Sequence, residues 1–176
     1  MPQPEPFLNA YRVPLPVLHV ILAVMFLSAC AGKDAHHLLG TAAVEPAALA
    51  GEHRLFVATT RARADHRQEV FSGGRADALS FARVDVTVPA VHQPGVLEKP
   101  RQGRKRDAAR HFAAKEVALY PSEDDFSQAL RESLKRTSGR ALVFVHGFRT
   151  AFDGAVYRGT QIVHDSRYTG TAVLFS

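Results

Sequence analysis

The stretch that most constrains this chain lies near its C-terminal end, at Arg140–Thr150, RALVFVHGFRT. Ala141 to Val145 is an unbroken apolar run rich in β-branched and aromatic residues. A run that short, bracketed by Arg140 and by a glycine, predicts a central parallel strand buried on both faces. It stops abruptly at His146-Gly147-Phe148. Thr150, with Asp153 three places on, has capping-box spacing and predicts that a helix restarts there. Strand, tight glycine turn and helix, in that order, is where open α/β sheets place their ligands, at the carboxyl end of a strand.

Glycine at 147 has a use in such a turn. Without a Cβ the backbone can bend sharply, and an N–H can approach an anionic oxygen closely. Backbone N–H groups aimed at developing negative charge form an oxyanion hole, usually the largest single contribution to acyl-transfer catalysis. A His-Gly pair alone is most often just a turn, but the residues around it are more specific. VFVHGFRTAFDGAVYRGTQIVHDSRYTGTAVLFS, with its VHG-aromatic opening and its aliphatic strand ending in Phe175-Ser176, resembles a bacterial α/β-hydrolase family of largely uncharacterised function. The likeness extends upstream to Ala58-Thr59-Thr60-Arg61, and then to Val88-Pro89, His92, Pro94-Gly95 and Glu98.

That resemblance implies a partial α/β-hydrolase fold, a mostly parallel sheet with flanking helices. It implies that His146, Gly147 and Phe148 form the oxyanion loop, with the Phe148 N–H facing the substrate oxygen. The base of this fold comes last in the chain, so His146 would shape the turn or hydrogen-bond beside the hole rather than act as base; a plain strand-end histidine is the alternative. The implied partner is a small-molecule ester or acyl substrate, with no cofactor and no metal.

The rest of the chain fits the same architecture. Leu55–Arg61 reads as a strand entering a polar loop that spans residues 62–80 and contains Gly73-Gly74. Phe81–Val88, FARVDVTV, alternates strictly and predicts a half-buried strand stopped by Pro89. Residues 111–120 lean to strand. Ser122–Thr137 has a Ser122 N-cap, Asp125 at capping-box spacing, acids in the first turn and a stripe of Phe126, Ala129, Leu130 and Leu134, so it predicts a helix. A second helix follows the turn, with Phe152, Val156, Gly159 and Val163 on one face, and Thr171–Phe175 reads as another buried strand. Strand, helix, strand in this span is one βαβ unit.

The N-terminus reads as a targeting segment. Val17–Phe26 is a ten-residue apolar core, too short for the about 20 residues of a spanning helix. It runs into Leu27-Ser28-Ala29-Cys30, which resembles a bacterial lipobox and implies cleavage before Cys30 and lipidation of its sulfur. The alternative is an uncleaved anchor in which Cys30 is an ordinary small residue. The expected organisation is a signal peptide at 1–29, a lipid-anchored tether at 30–53 and the hydrolase portion at 54–176. This implies an exported, membrane-anchored lipoprotein of the cell envelope. A single cysteine allows no internal disulfide. His36-His37 falls on the tether, where adjacent histidines are normally solvated rather than metal-binding. The net charge of +5 and the run Arg101–Arg106, RQGRKR, come with no interleaved aromatics. They predict a solvated basic loop and no nucleic-acid partner.

What the sequence lacks bears on function. No serine has glycines at both −2 and +2, so the G-x-S-x-G elbow is missing, and with it the acid and base that should follow. The expectation is a serine-type hydrolase of the envelope, truncated before its nucleophile elbow and inactive alone. The alternative is a non-catalytic envelope lipoprotein that uses the domain for binding. Metabolic labelling with a fatty acid should mark the wild type and spare Cys30→Ser; equal labelling of both, or of neither, contradicts the anchor.

Overall fold

The apolar and alternating segments hydrogen-bond into one five-stranded sheet in the computed structural model, which describes residues 45, 48–64, 69–101 and 104–176. The expected signal peptide, Cys30 and His36-His37 lie outside the described residues. In chain order the elements are β1 (Leu49–Arg63), β2 (Phe71–Pro89), β3 (Ala113–Tyr120), α1 (Glu123–Arg136), β4 (Ala141–Val145), α2 (Phe152–Asp165) and β5 (Thr171–Phe175). The sheet order is β3-β2-β1-β5-β4. Its parallel half is β1, β5 and β4, and β2 and β3 extend it antiparallel. The α/β architecture is as expected, with β4 and β5 adjacent, parallel and joined by α2.

The two helices cover opposite faces. Phe152, Ala155, Val156, Tyr157 and Val163 of α2 pack on Leu55 and Val57 of β1, on Ala82, Val84, Val86 and Val88 of β2, and on Leu174 of β5. On the other face Phe126 of α1 stacks on Phe81 at 4.8 Å and meets Phe56 and Tyr120 edge-on at 5.9 and 5.6 Å. Such aromatic pairs each add about 0.5–1.5 kcal/mol beyond the area they bury. α1 starts where its sequence says: Ser122 accepts from the Asp125 N–H at 3.1 Å. Gly159 permits close packing of α2, because a Cβ there would lie 3.2 Å from both Leu55 and Phe144.

Several local expectations are overturned. β1 begins at Leu49, ahead of Arg54, and β2 begins at Phe71, absorbing Gly73-Gly74 that read as loop. The two strands extend each other as an antiparallel pair, with register shifts between Thr59 and Arg63 taking up the irregular part. Phe81–Val88 is buried on both faces rather than one: on the side away from α2, α1 covers Phe81, and Asp85 and Thr87 are buried among neighbouring strands. The polar members survive burial by being bonded. Asp85 takes a two-pronged bond from Arg54 at 2.8 and 2.7 Å, and Thr87 donates to the Ala113 carbonyl at 3.1 Å. In the basic run, Arg101, Arg104 and Lys105 are exposed, but Arg106 belongs to the packing. Its guanidinium lies 4.2 Å over the Tyr157 ring and donates to the Phe112 carbonyl at 2.5 Å. Burial pushes the Tyr157 phenol up to about 12.

The largest correction concerns β4. It is an edge strand and is not buried on both faces: Leu142 and Phe144 turn toward α2, while Val143 and Val145 are 61 % and 63 % exposed. Among the described residues no element covers that face, since α1 lies over β2, β3 and β5.

The end of the sheet where β1 starts and β2 finishes is held by a histidine. His92 Nδ1 lies 2.7 Å from Glu98 Oε2 and Nε2 lies 2.7 Å from Asp165 Oδ1, with the side chain 3 % exposed. Ionised carboxylates only accept, so both ring nitrogens carry hydrogen and His92 is an imidazolium. Gly95, at φ 85°, turns its N–H onto the other Asp165 oxygen at 2.8 Å, and Gln93 N–H reaches Glu98 at 2.9 Å. The Val-Pro, His, Pro-Gly, acid pattern is therefore a clasp that ties the 90–98 loop to the end of α2. Beside it, His53 Nε2 and His164 Nδ1 are 2.9 Å apart.

Burial alone would lower the His92 pKa, but the bonds to Asp165 and Glu98 outweigh it and the net shift is upward. Burial alone would raise Glu98 and Asp165, and the bonds to His92 and to backbone N–H groups bring both down. A raised histidine stabilises fully below its unfolded value, near 6.5, and loses that as pH climbs through its folded value. Lowered carboxylates stabilise above their unfolded values and lose that as pH falls through the folded ones. His53 and His164 are lowered, by burial first, and favour the fold above 6.5. The stability advantage of wild type over His92→Gln should therefore peak in mildly acidic buffer and shrink on both sides, read as urea midpoints against pH. A pH-independent difference contradicts the ion cluster.

Candidate functional site

The opposite end of the sheet gathers the chemistry-bearing residues. Parallel register puts Ala58, Phe175 and Val145 in one rank across β1, β5 and β4. The next rank carries Thr59, Ser176 and His146, with Arg61 beyond. Ser176 is tied into the sheet by its backbone: its N–H donates to Ala58 O at 3.1 Å, and its backbone oxygen accepts from Thr60 N–H at 2.9 Å and from the Thr59 hydroxyl at 2.7 Å.

Arg61 is the hub. Its Nε donates to Ser176 Oγ at 2.6 Å, Nη1 to the Ser72 carbonyl at 3.3 Å and Nη2 to the Thr150 carbonyl at 2.7 Å. Nη2 also faces His146 Nε2 at 3.2 Å. Ser176 Oγ lies 3.0 Å from the same His146 nitrogen. Burial lowers the Arg61 pKa first of all, the nearby Arg75 charge adds to that, and Asp153 opposes it. Asp153, buried in the first turn of α2, is the acid on that side of the guanidinium.

The 146–150 turn differs in detail from the expected glycine turn. Gly147 has an ordinary φ, and the left-handed residue is Arg149 at φ 57°. A Cβ added at Gly147 would meet nothing within 4 Å, so packing inside the chain does not demand glycine there; the space in front of it is open. Thr150 is not the N-cap: Ala151 is, with no side-chain cap bond. The Thr150 hydroxyl is drawn back instead to the Gly147 carbonyl at 2.9 Å, which also accepts from His146 Nδ1 at 2.8 Å. Phe148 projects from the turn and is 95 % exposed.

Of the expected site residues, His146, Gly147 and Phe148 are together by adjacency, and His146 points into the strand ends. His164 and Asp165 sit at the far end of the sheet, in and beside the His92 clasp. Among the described residues, no group of three or more His, Cys, Asp or Glu side chains is arranged to hold a metal ion. Sequence reasoning missed Arg61 and Ser176 as members of the site. Both lay in segments carrying the resemblance, ATTR and the Phe-Ser strand end, but neither spacing says that β5 inserts between β1 and β4.

Residues 122–176 match the family described as Alpha/beta hydrolase of unknown function (DUF900). That stretch contains α1, β4, the 146–150 turn, α2 and β5, while Arg61 and the antiparallel half of the sheet precede it. No curated protein and no solved structure gives a significant match.

Proposed function

From that match and the geometry of the 146–150 turn, we propose that this chain carries the oxyanion-loop portion of a serine-type α/β-hydrolase. The bond it serves to cleave is an ester or acyl bond of a small molecule. It is held in the cell envelope through a lipid on Cys30. The observation that carries this reading is the orientation of one peptide plane. The Gly147 carbonyl is held by His146 Nδ1 and the Thr150 hydroxyl. A trans peptide is planar, with its C=O and N–H antiparallel. The Phe148 N–H therefore points away from both side chains, at the carboxyl end of a parallel strand, beside a residue with open space in front of it. A preorganised N–H in such a place stabilises a tetrahedral oxyanion without further rearrangement.

Ser176 is a poor nucleophile in this setting. It lies in extended backbone bonded to β1 rather than on a sharp elbow, and Arg61 Nε donates into its hydroxyl oxygen. Its approach to His146 supports a second reading, a Ser176–His146 dyad active in this chain, but the other ring nitrogen meets a backbone carbonyl where a triad would supply a carboxylate. A third reading, a binding module, draws on the exposed Val143, Val145 and Phe148 beside the turn.

Assay of the chain with short-chain nitrophenyl esters should give no turnover above buffer. Turnover abolished by Ser176→Ala would establish the dyad and overturn the reading of Ser176 as a poor nucleophile. Reading the transcript past the Ser176 codon separates hydrolase from binding module: a G-x-S-x-G within some tens of codons supports the first, and an in-frame continuation without one supports the second.

A further inference from the structure

The ATTR segment stood out in the sequence without a role, and its arginine reaches the oxyanion loop from another strand. A guanidinium has donors and no acceptor, and Nη2 carries two hydrogens. One goes to the Thr150 carbonyl and the other faces His146 Nε2. A donor at Nε2 requires the lone pair to be there, which leaves the ring proton on Nδ1. From Nδ1 that proton is donated to the Gly147 carbonyl. Thr150, fixed by its own carbonyl, places its hydroxyl on the same oxygen. Two arms thus leave one nitrogen of Arg61 and close on one carbonyl.

We infer that Arg61 is the positioning residue of the oxyanion loop, setting the His146 tautomer and the Thr150 backbone so that together they fix the Gly147–Phe148 peptide plane. This rests on the reading of the Phe148 N–H as the oxyanion donor. Arg61 does not touch substrate; it acts through His146 and Thr150. Its other bonds hold it still while it does so: Nη1 to the Ser72 carbonyl on β2 and Nε to Ser176 just after β5. The fork matters more than the charge. A lysine offers its donors from a single nitrogen on a flexible stem and cannot meet Ser176, Ser72, Thr150 and His146 from fixed directions.

The test uses the isotopically labelled full chain. In wild type the His146 ring should show the Nδ1–H pattern in long-range proton–nitrogen spectra, and the Gly147 and Phe148 amides should have order parameters near the ~0.85 of rigid backbone. In Arg61→Lys the ring should shift toward the Nε2–H form, and those two amides should fall below ~0.6 while Val84 and Val156 keep wild-type values. Thr150→Val, which removes one arm and no charge, should loosen the same amides and leave the tautomer in place. An Nε2–H ring in wild type overturns the inference. So does an Arg61→Lys variant that keeps both tautomer and amide order, or one that loosens the whole chain uniformly. If Arg61→Lys does not fold, wild type and Thr150→Val decide: a wild-type Nδ1–H ring with loop-confined loosening in Thr150→Val supports it, and rigid 147–148 amides in that variant overturn it. None of these readings depends on turnover, so a chain that proves active through Ser176 would refute the reading of Ser176 as a poor nucleophile and leave this one standing or falling by itself.

Discussion

The arrangement at the carboxyl ends of the parallel strands depends on a guanidinium that is partly withdrawn from water. Desolvating a cation costs several kcal/mol even after relaxation, unless acceptors replace the lost hydration. Arg61 is supplied with acceptors from three other strands or their flanking turns: Ser72 O on β2, Ser176 Oγ after β5, and Thr150 O and His146 Nε2 after β4. Charge-assisted bonds of this kind are roughly twice as strong as neutral ones. Because they radiate from a planar group, they also fix directions. The turn that follows β4 has no side-chain cap on α2 and a non-glycine residue in the left-handed region, and its internal bonds both close on the Gly147 carbonyl. Arg61 of β1 meets that turn at the Thr150 carbonyl and at His146 Nε2.

Seen along the strands, the molecule has two polar ends of different character. At the start of β1 a doubly bonded His92 joins the 90–98 loop to the end of α2, far from the turn, and its role is to hold the fold together. At the finish of β1 the polar groups gather around the Arg61 guanidinium. Between them lies an apolar double layer, with α2 over one face of the sheet and α1 over the other. β4 is the exception. Its five residues contain no charge, proline or bulge of the kind that guards exposed edges, whereas β3 at the other edge carries Lys115 and Glu116.

Much of this was legible in the sequence, and the part that was not has a common cause. Ser122 announces α1 through a local hydrogen bond, and the run Ala141–Val145 announces β4 through composition; both are short-range signals. The stripe Phe152, Val156, Gly159, Val163 gave the buried face of α2 for the same reason. Burial on both faces of Phe81–Val88 was missed because it depends on α1 landing on Phe81 and on Arg54 reaching Asp85, and strict alternation reads like a half-exposed strand. The exposure of Val143 and Val145 was missed conversely: the residues suit burial, and only strand order reveals that β4 is an edge. Arg61, some eighty residues from His146, enters the site solely because β5 pairs with β1 on one side and β4 on the other. No periodicity carries that information. Thr150 misled more subtly, since its spacing to Asp153 fits a cap while its hydroxyl is recruited backward to Gly147.

The joining of the strand ends through Arg61 can be measured without any substrate. In a double-mutant cycle of Arg61→Lys and Ser176→Ala, followed by urea unfolding, groups in direct contact couple by about 0.5–3 kcal/mol. If the guanidinium bonds Ser176 at 2.6 Å as it does here, the coupling should fall at about 1 kcal/mol or above. Additivity within about 0.5 kcal/mol would mean that β1 and β5 do not meet at these residues, and the site built on them would not exist.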